Sequence, residues 1–222
     1  MSRSLLSEPK EQVIESYEAE EQVAKLFEPE EQVTEYLEKV ADFEEKLKFD
    51  PTTYRHCLNV ASWSVQLVKN SRYELDEVVV YYAGLFHDIG KSMISLAVLD
   101  KEKELDRDEY NTIKEHARHG FRILQKYKFP SDVLFAALLH HEKYDGSGYP
   151  IGFMGREIPL IARIVNICDV FDALTSDRPH RKAYSVQDAL QIMRTSRQQF
   201  DPELLDIFFT KVAINLLDGA KF

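Results

Sequence analysis

With only Cys57 and Cys168 among its 222 residues, the chain cannot build a disulfide framework, and so few thiols fit a reducing compartment. Long apolar runs are also lacking. The longest, residues 78–86 and 133–139, fall well short of the roughly 18 residues a membrane helix needs. The start, Met1 to Glu8, turns acidic before any apolar stretch can form, which argues against a secretory signal. A cytoplasmic protein without membrane contact is expected. At 44% hydrophobic it can bury a substantial core, enough for one main domain with an appendage.

The net charge of −10 is unevenly spread. Residues 1–48 carry 14 acidic and 6 basic side chains, which leaves 24 acidic and 22 basic for the remainder. The main domain is therefore nearly neutral and does not repel an anionic ligand. Arg178, His180, Arg181 and Lys182 form a local basic cluster that can attract one.

Those first 48 residues repeat a ten-residue phrase, Glu11-Gln12-Val13, Glu21-Gln22-Val23 and Glu31-Gln32-Val33. Ten residues leave a helix about 80° short of whole turns, so the repeats cannot share one face and a solenoid is not expected. Pro9 and Pro29 suit the first turns of two helices. In the second, Val33, Tyr36, Val40, Phe43 and Leu47 form a stripe that packs either on the main domain or on a partner helix. From Asp50-Pro51 onward the pattern is helical throughout, and strands have little room. Helices are expected over Arg55 to Asn70; from Asp76 as cap to His87; along Tyr110, Ile113, Ala117, Phe121 and Leu124; from Ser131 as cap to His141; from Pro159 to Leu174; from Ser185 as cap; and from Asp201-Pro202 to near Asp218-Gly219.

The stretch His140-His141-Glu142-Lys143-Tyr144-Asp145-Gly146-Ser147-Gly148-Tyr149-Pro150 runs two adjacent imidazoles into a glycine-punctuated turn. Imidazole is a leading metal ligand. Helical neighbours point about 100° apart, so adjacent His can serve two ions. A second pair, His87-Asp88-Ile89-Gly90-Lys91, repeats the scheme with a glycine and a cation behind it. His56, His116 and Asp169 lie on or beside apolar stripes of other helices. Several buried imidazoles and ionised carboxylates cost several kcal/mol without a partner, and divalent cations supply one.

In order and spacing, the His87-Asp88 pair, the His140-His141 pair and the Gly148-Tyr149-Pro150 turn resemble the HD-GYP family, the branch of the HD phosphohydrolases that acts on cyclic di-GMP. The likeness covers about residues 50 to 217. It implies an all-α bundle of about seven core helices over residues 49–222, preceded by the acidic helical extension of residues 1–48. It further implies His56, His87, Asp88, His116, His140, His141 and Asp169 as metal ligands, with Asp88 bridging two ions. Asp172 would orient a ligand, and His119 would be structural. Some family members add a glutamate four residues before the first histidine. Thr52 stands there, which favours two ions over three, most suitably iron or manganese.

Two such ions would hold a bridging hydroxide for in-line attack at phosphorus. Asp88 and Lys91 would carry the catalysis, and Lys91, Tyr149, Arg178 and Arg181 would contact the substrate's phosphates. The activity implied is hydrolysis of cyclic di-GMP to linear pGpG and onward to GMP, with a related cyclic dinucleotide such as cyclic GMP-AMP also open. The competing reading is a catalytically weak receptor that binds a cyclic dinucleotide. It would signal to protein partners through the Gly-Tyr-Pro turn or the N-terminal helices. No nucleic-acid polymer is expected as a partner.

Overall fold

The computed structural model describes residues 41–42, 44–45, 50–99, 101, 103–104, 106–177 and 181–214. The expected repeat, the Val33 to Leu47 stripe and Arg178 lie outside the described residues. From residue 44 onward the chain belongs to one compact unit. Among the described residues the secondary structure is helical, apart from an isolated bridge at Arg181. No helix there is long and apolar enough to cross a membrane.

Helix α1, Pro51–Lys69, starts where Asp50 accepts the amide hydrogen of Thr52 and Pro51 supplies a preset φ. In the same way Asp76 caps α2, Glu77–Phe86, by accepting from the amides of Val78 and Val79. A 3-10 turn, Ile89–Met93, and a short helix α3, Leu96–Leu99, follow.

The single helix expected over Tyr110 to Leu124 is two, α4 (Arg107–Lys114) and α5 (His116–Lys126), broken at Glu115. The apolar stripe continues across the break, which hides it from a periodicity argument. Tyr110 is exposed rather than core. Helix α6, Ser131–Leu139, begins one residue earlier than expected. Pro130 occupies the cap position, and Ser131 makes no capping hydrogen bond. Helix α7 is Leu160–Thr175, and α8, Val186–Thr195, is capped by Ser185 as expected. The final helix, α9, covers Pro202–Ile207 and passes into a π-helical turn, Phe208–Val212; the expected end near Asp218 lies outside the described residues.

Helix α1 packs on α2 and α7, α2 also contacts α6, and α6 joins α5 and α7. Aromatic side chains cement this layer. Phe171 is met edge-on by Trp63 at 5.9 Å and by Phe208 at 5.0 Å, and Phe86 by Phe129 at 5.4 Å. Each buried phenyl contributes roughly 1.5–3 kcal/mol, with about 0.5–1.5 kcal/mol more for an edge-to-face pair. Phe86 precedes His87, and Phe171 lies two residues beyond Asp169. The apolar core therefore fixes the backbone beside two of the candidate ligands.

Candidate metal centre

The 3-10 turn after α2 lies against α5 so closely that Gly90 can be no other residue without movement. A Cβ there would stand 1.9 Å from the carbonyl oxygen of His116 and 2.5 Å from the amide nitrogen of Gly120. This contact brings the His87-Asp88 pair up to His116. The other candidate ligands arrive from α1, α6 and α7.

Three imidazoles are anchored in one way. His87 Nδ1 lies 2.6 Å from the carbonyl of Gly84, His116 Nδ1 2.6 Å from that of Ile113, and His140 Nδ1 2.9 Å from that of Ala136. All three oxygens belong to the last four carbonyls of a helix, those of α2, α4 and α6, and that of Ala136 also accepts the amide hydrogen of His140 at 3.1 Å. A carbonyl only accepts, so each Nδ1 carries the proton and each Nε2 keeps its lone pair. At His116 the anchor sits at the break between α4 and α5. A continuous helix would give the Ile113 oxygen to the amide of Ala117. His56 is held by a carboxylate instead, with Nδ1 2.7 Å from Asp172 Oδ2. Asn59 Nδ2 donates to the other oxygen of Asp172 at 2.7 Å. Asp172 thus orients a candidate ligand, as expected of it.

The lone pairs so fixed point at one another. His116 Nε2 and His140 Nε2 are 3.4 Å apart, and Asp88 Oδ1 lies 3.3 Å from the first and 3.8 Å from the second. Asp88 Oδ2 faces the other way, 3.4 Å from His87 Nε2 and 3.7 Å from His56 Nε2. His56 Nε2 is 3.1 Å and His87 Nε2 4.0 Å from Asp169 Oδ1. Two donor sets result, Asp88, His116, His140 and His141, and His56, His87 and Asp169, with donor atoms inside each set within 4.8 Å of one another. All seven residues expected as ligands are in these sets. His119 and Thr52 belong to neither.

The donor chemistry fits divalent cations. His56 Nε2, His87 Nε2 and Asp88 Oδ1 are buried without a hydrogen-bond partner, and lone pairs facing at such distances repel unless a positive charge stands between them. The titration of the groups agrees. Burial alone would lower His56, yet Asp169 and Asp172 lift it to about 9, so these carboxylates favour positive charge at its ring. Burial would raise Asp88, but Lys91 and His87 hold it well below the usual carboxylate range. His140 is held well below the usual imidazole value by burial and the surrounding imidazoles, which keeps it neutral and ready to ligate.

The 100° step between helical neighbours allowed His140 and His141 to serve separate ions; here both fall in the first set, with ring centroids 4.0 Å apart. Helix α6 ends at Leu139, so the pair lies in the turn beyond it and the helical step does not govern their directions. His141 Nδ1 also faces Asp169 Oδ2 of the other set at 3.9 Å. Cys57 can join His87 and Asp88 in a third grouping, but burial holds its thiol well above the usual range, and a protonated thiol is a poor ligand. Cys168, pushed up to about 12 chiefly by burial, is a buried small hydrophobe as expected.

Among the expected substrate contacts, the Lys91 ammonium pairs with Asp88 Oδ2 at the edge of the cluster and remains partly exposed. Tyr149 stacks on His141, with centroids 4.7 Å apart at 28°. Burial and the charge of Asp88 raise its phenol well above the usual range, so it stays a hydrogen-bond donor. Arg181 is engaged elsewhere. Its guanidinium donates to the carbonyls of Ala173, Leu174 and Lys182 and lies over the ring of Tyr184. It caps the end of α7 about one and a half turns past Asp169.

Sequence reasoning missed three supporting residues. Asn166 donates to the carbonyl of His140 at 2.8 Å. Asn59 and Asn166 stand three residues from His56 and Asp169, and that spacing on a helix was the available signal. Glu142 is buried and accepts from the amides of Ile151 at 2.6 Å and Gly152 at 3.0 Å, pinning the far side of the Gly-Tyr-Pro turn. The near side is pinned by contact, since a Cβ on Gly148 would stand 2.5 Å from the carbonyl oxygen of His141.

Residues 59–204, more than half of the chain, match the family model described as HD domain. A cyclic di-GMP phosphodiesterase of Pseudomonas aeruginosa is 36% identical over 169 residues, covering 74% of this chain and 40% of its own. A 3'3'-cGAMP-specific phosphodiesterase of Vibrio cholerae is 38% identical over 169 residues, covering 75% of this chain and 36% of its own. The chain thus spans less than half the length of these relatives. The HD domain of the Listeria monocytogenes phosphodiesterase PgpH, solved with cyclic-di-AMP, superposes with a TM-score of 0.59 over 82% of this chain and 99% of its own. At 17% identity that likeness is one of fold. By its family match, its relatives and its paired His-Asp and His-His motifs, the chain belongs to the HD domain family, in the HD-GYP branch.

Proposed function

We propose that the chain is a metal-dependent phosphodiesterase that hydrolyses cyclic di-GMP to linear pGpG, with cyclic GMP-AMP as the alternative substrate. One observation carries the reading: two sets of inward lone pairs meet at Asp88, whose two carboxylate oxygens face opposite sets. His116, His140 and His141 would hold one divalent ion, His56, His87 and Asp169 a second, and Asp88 both. Iron or manganese suits this thiolate-free ligand set. Such ions would lower the pKa of a bound water and clamp the attacking and leaving oxygens at phosphorus.

The chain's own residues do the rest. The carbonyl anchors keep Nε2 of His87, His116 and His140 aimed inward, and Asp172 holds His56. Lys91 holds an ammonium beside Asp88, where it neutralises phosphate charge or gives a proton to the leaving oxygen. Tyr149 donates its hydroxyl to a phosphate oxygen. Arg178 and Arg181 complete the phosphate grip, which requires Arg181 to leave its carbonyl partners. The names of the relatives, each attached to a cyclic-dinucleotide phosphodiesterase, support the substrate class. The catalytic domain is taken as residues 49–222 and residues 1–48 as an acidic helical extension, with the Gly-Tyr-Pro turn and that extension as surfaces for signalling partners. Two unbridged buried cysteines fit a cytoplasmic location.

A receptor that binds without turnover is the second reading, and Thr52, standing where some family members carry a glutamate, favours it. Incubation of iron- or manganese-loaded protein with cyclic di-GMP, cyclic GMP-AMP and cyclic di-AMP, followed by chromatography, separates the two. The proposal expects pGpG, or the linear product of cyclic GMP-AMP, at a rate proportional to enzyme. Saturable binding without any linear product would leave the receptor.

A further inference from the structure

Lys114, in the last turn of α4, stands between two aromatic rings. Its Nζ is 4.4 Å from the ring centroid of Tyr110 and 5.1 Å from that of Tyr149. Tyr149 in turn stacks on His141. The row His141, Tyr149, Lys114, Tyr110 therefore leads outward from the cation-binding cluster to Tyr110, which is 48% exposed. Two phenol faces attract the ammonium but carry no net charge, so they hold it without neutralising it. Among the described residues no carboxylate pairs with it, and neither phenol hydroxyl has a hydrogen-bond partner. A lysine stem loses rotamer freedom when fixed. Here the rings have already fixed it. The result is a pre-positioned positive charge between two phenol rings, which is an anion site by its chemistry.

We propose that Lys114, clamped by Tyr110 and Tyr149, binds the second phosphodiester of the cyclic dinucleotide, the one that is not being cleaved. The inference rests on the phosphodiesterase reading, because only a two-phosphate substrate needs an anion partner outside the cation cluster. While Arg181 is engaged by backbone carbonyls, Lys114 offers a charge next to Tyr149 that needs no rearrangement. It selects cyclic dinucleotides over substrates with a single phosphodiester.

The test compares metal-loaded wild type, Lys114→Met and Lys114→Arg on cyclic di-GMP and on bis(4-nitrophenyl) phosphate, a probe with one phosphodiester. Methionine keeps an apolar stem between the rings and removes the charge. Lys114→Met is expected to raise KM for cyclic di-GMP about tenfold with kcat within about threefold of wild type. Its kcat/KM on the probe should fall at least fivefold less, and Lys114→Arg should recover most of the loss. A KM for cyclic di-GMP equal to that of wild type overturns the assignment. Equal losses on both substrates also overturn it, since they would mean that Lys114 merely supports Tyr149. Wild type that cleaves the probe but no cyclic dinucleotide overturns the phosphodiesterase reading at its substrate, and the second-phosphate site with it.

Discussion

Replacing Asp88 by Asn is expected to lower kcat for cyclic di-GMP, the proposed substrate, at least about 10³-fold and to leave the helix content intact. Asp88 is buried, and its two oxygens address different donor sets, so one substitution strikes both ion sites. A pair of clamping cations is worth several kcal/mol in the transition state, and a loss of about 4 kcal/mol corresponds to roughly three orders of magnitude in rate. The amide keeps the shape of the side chain. Lys91, a fifth of whose side chain is exposed, can turn to water, so the fold tolerates the missing charge better than it would a buried orphan. Bound metal should fall along with rate. Circular dichroism, elemental analysis and steady-state kinetics on the same preparation check this. Activity within tenfold of wild type would put the chemistry elsewhere.

The second large effect comes from a residue that cannot ligate anything. Gly90→Ala would push a methyl group to 1.9 Å from the carbonyl oxygen of His116 and 2.5 Å from the amide nitrogen of Gly120. Both are backbone atoms of α5 and cannot rotate away, so the 3-10 turn and α5 must separate. Overpacking of this kind costs about 3 kcal/mol or more, a fall of roughly 6–12 °C in Tm for a domain of this size. The separation also moves Asp88 away from His116, now 3.3 Å apart, so metal retention should weaken in what remains folded. Gly120→Ala is the control on the partner helix. Its added Cβ would meet nothing nearer than 3.4 Å, and alanine is the better helix former, so its stability should stay within about 1 kcal/mol of wild type. Calorimetry on the two variants decides the matter. A Gly90→Ala protein as stable as Gly120→Ala would refute the close approach of turn and helix.

Most of the seven candidate donors stand beside apolar stripes and two adjacent pairs carry glycine punctuation, while the full set was implied by the family resemblance. The helical class followed from the same periodicity, and Asp76 and Ser185 cap the helices expected of them. What the sequence concealed depends on contacts between distant segments. The break at Glu115 falls where the ring of His116 meets the Ile113 carbonyl, and nothing in the spacing of Tyr110, Ile113 and Ala117 reveals that. Glu142 reads as a surface charge until the turn folds back and brings two amides to its carboxylate. The family resemblance implies Arg181 as a phosphate ligand, yet it faces backbone carbonyls at the end of α7. Motifs thus told which atoms can ligate, while packing decided how they are aimed.

The central claim is that two cations share Asp88, and counting them tests it most directly. Protein purified without oxygen, then analysed for iron, manganese, zinc and nickel against a protein concentration from amino-acid analysis, should carry close to two ions per chain. A consistent value of one or zero, in protein that still hydrolyses cyclic di-GMP, would contradict the account.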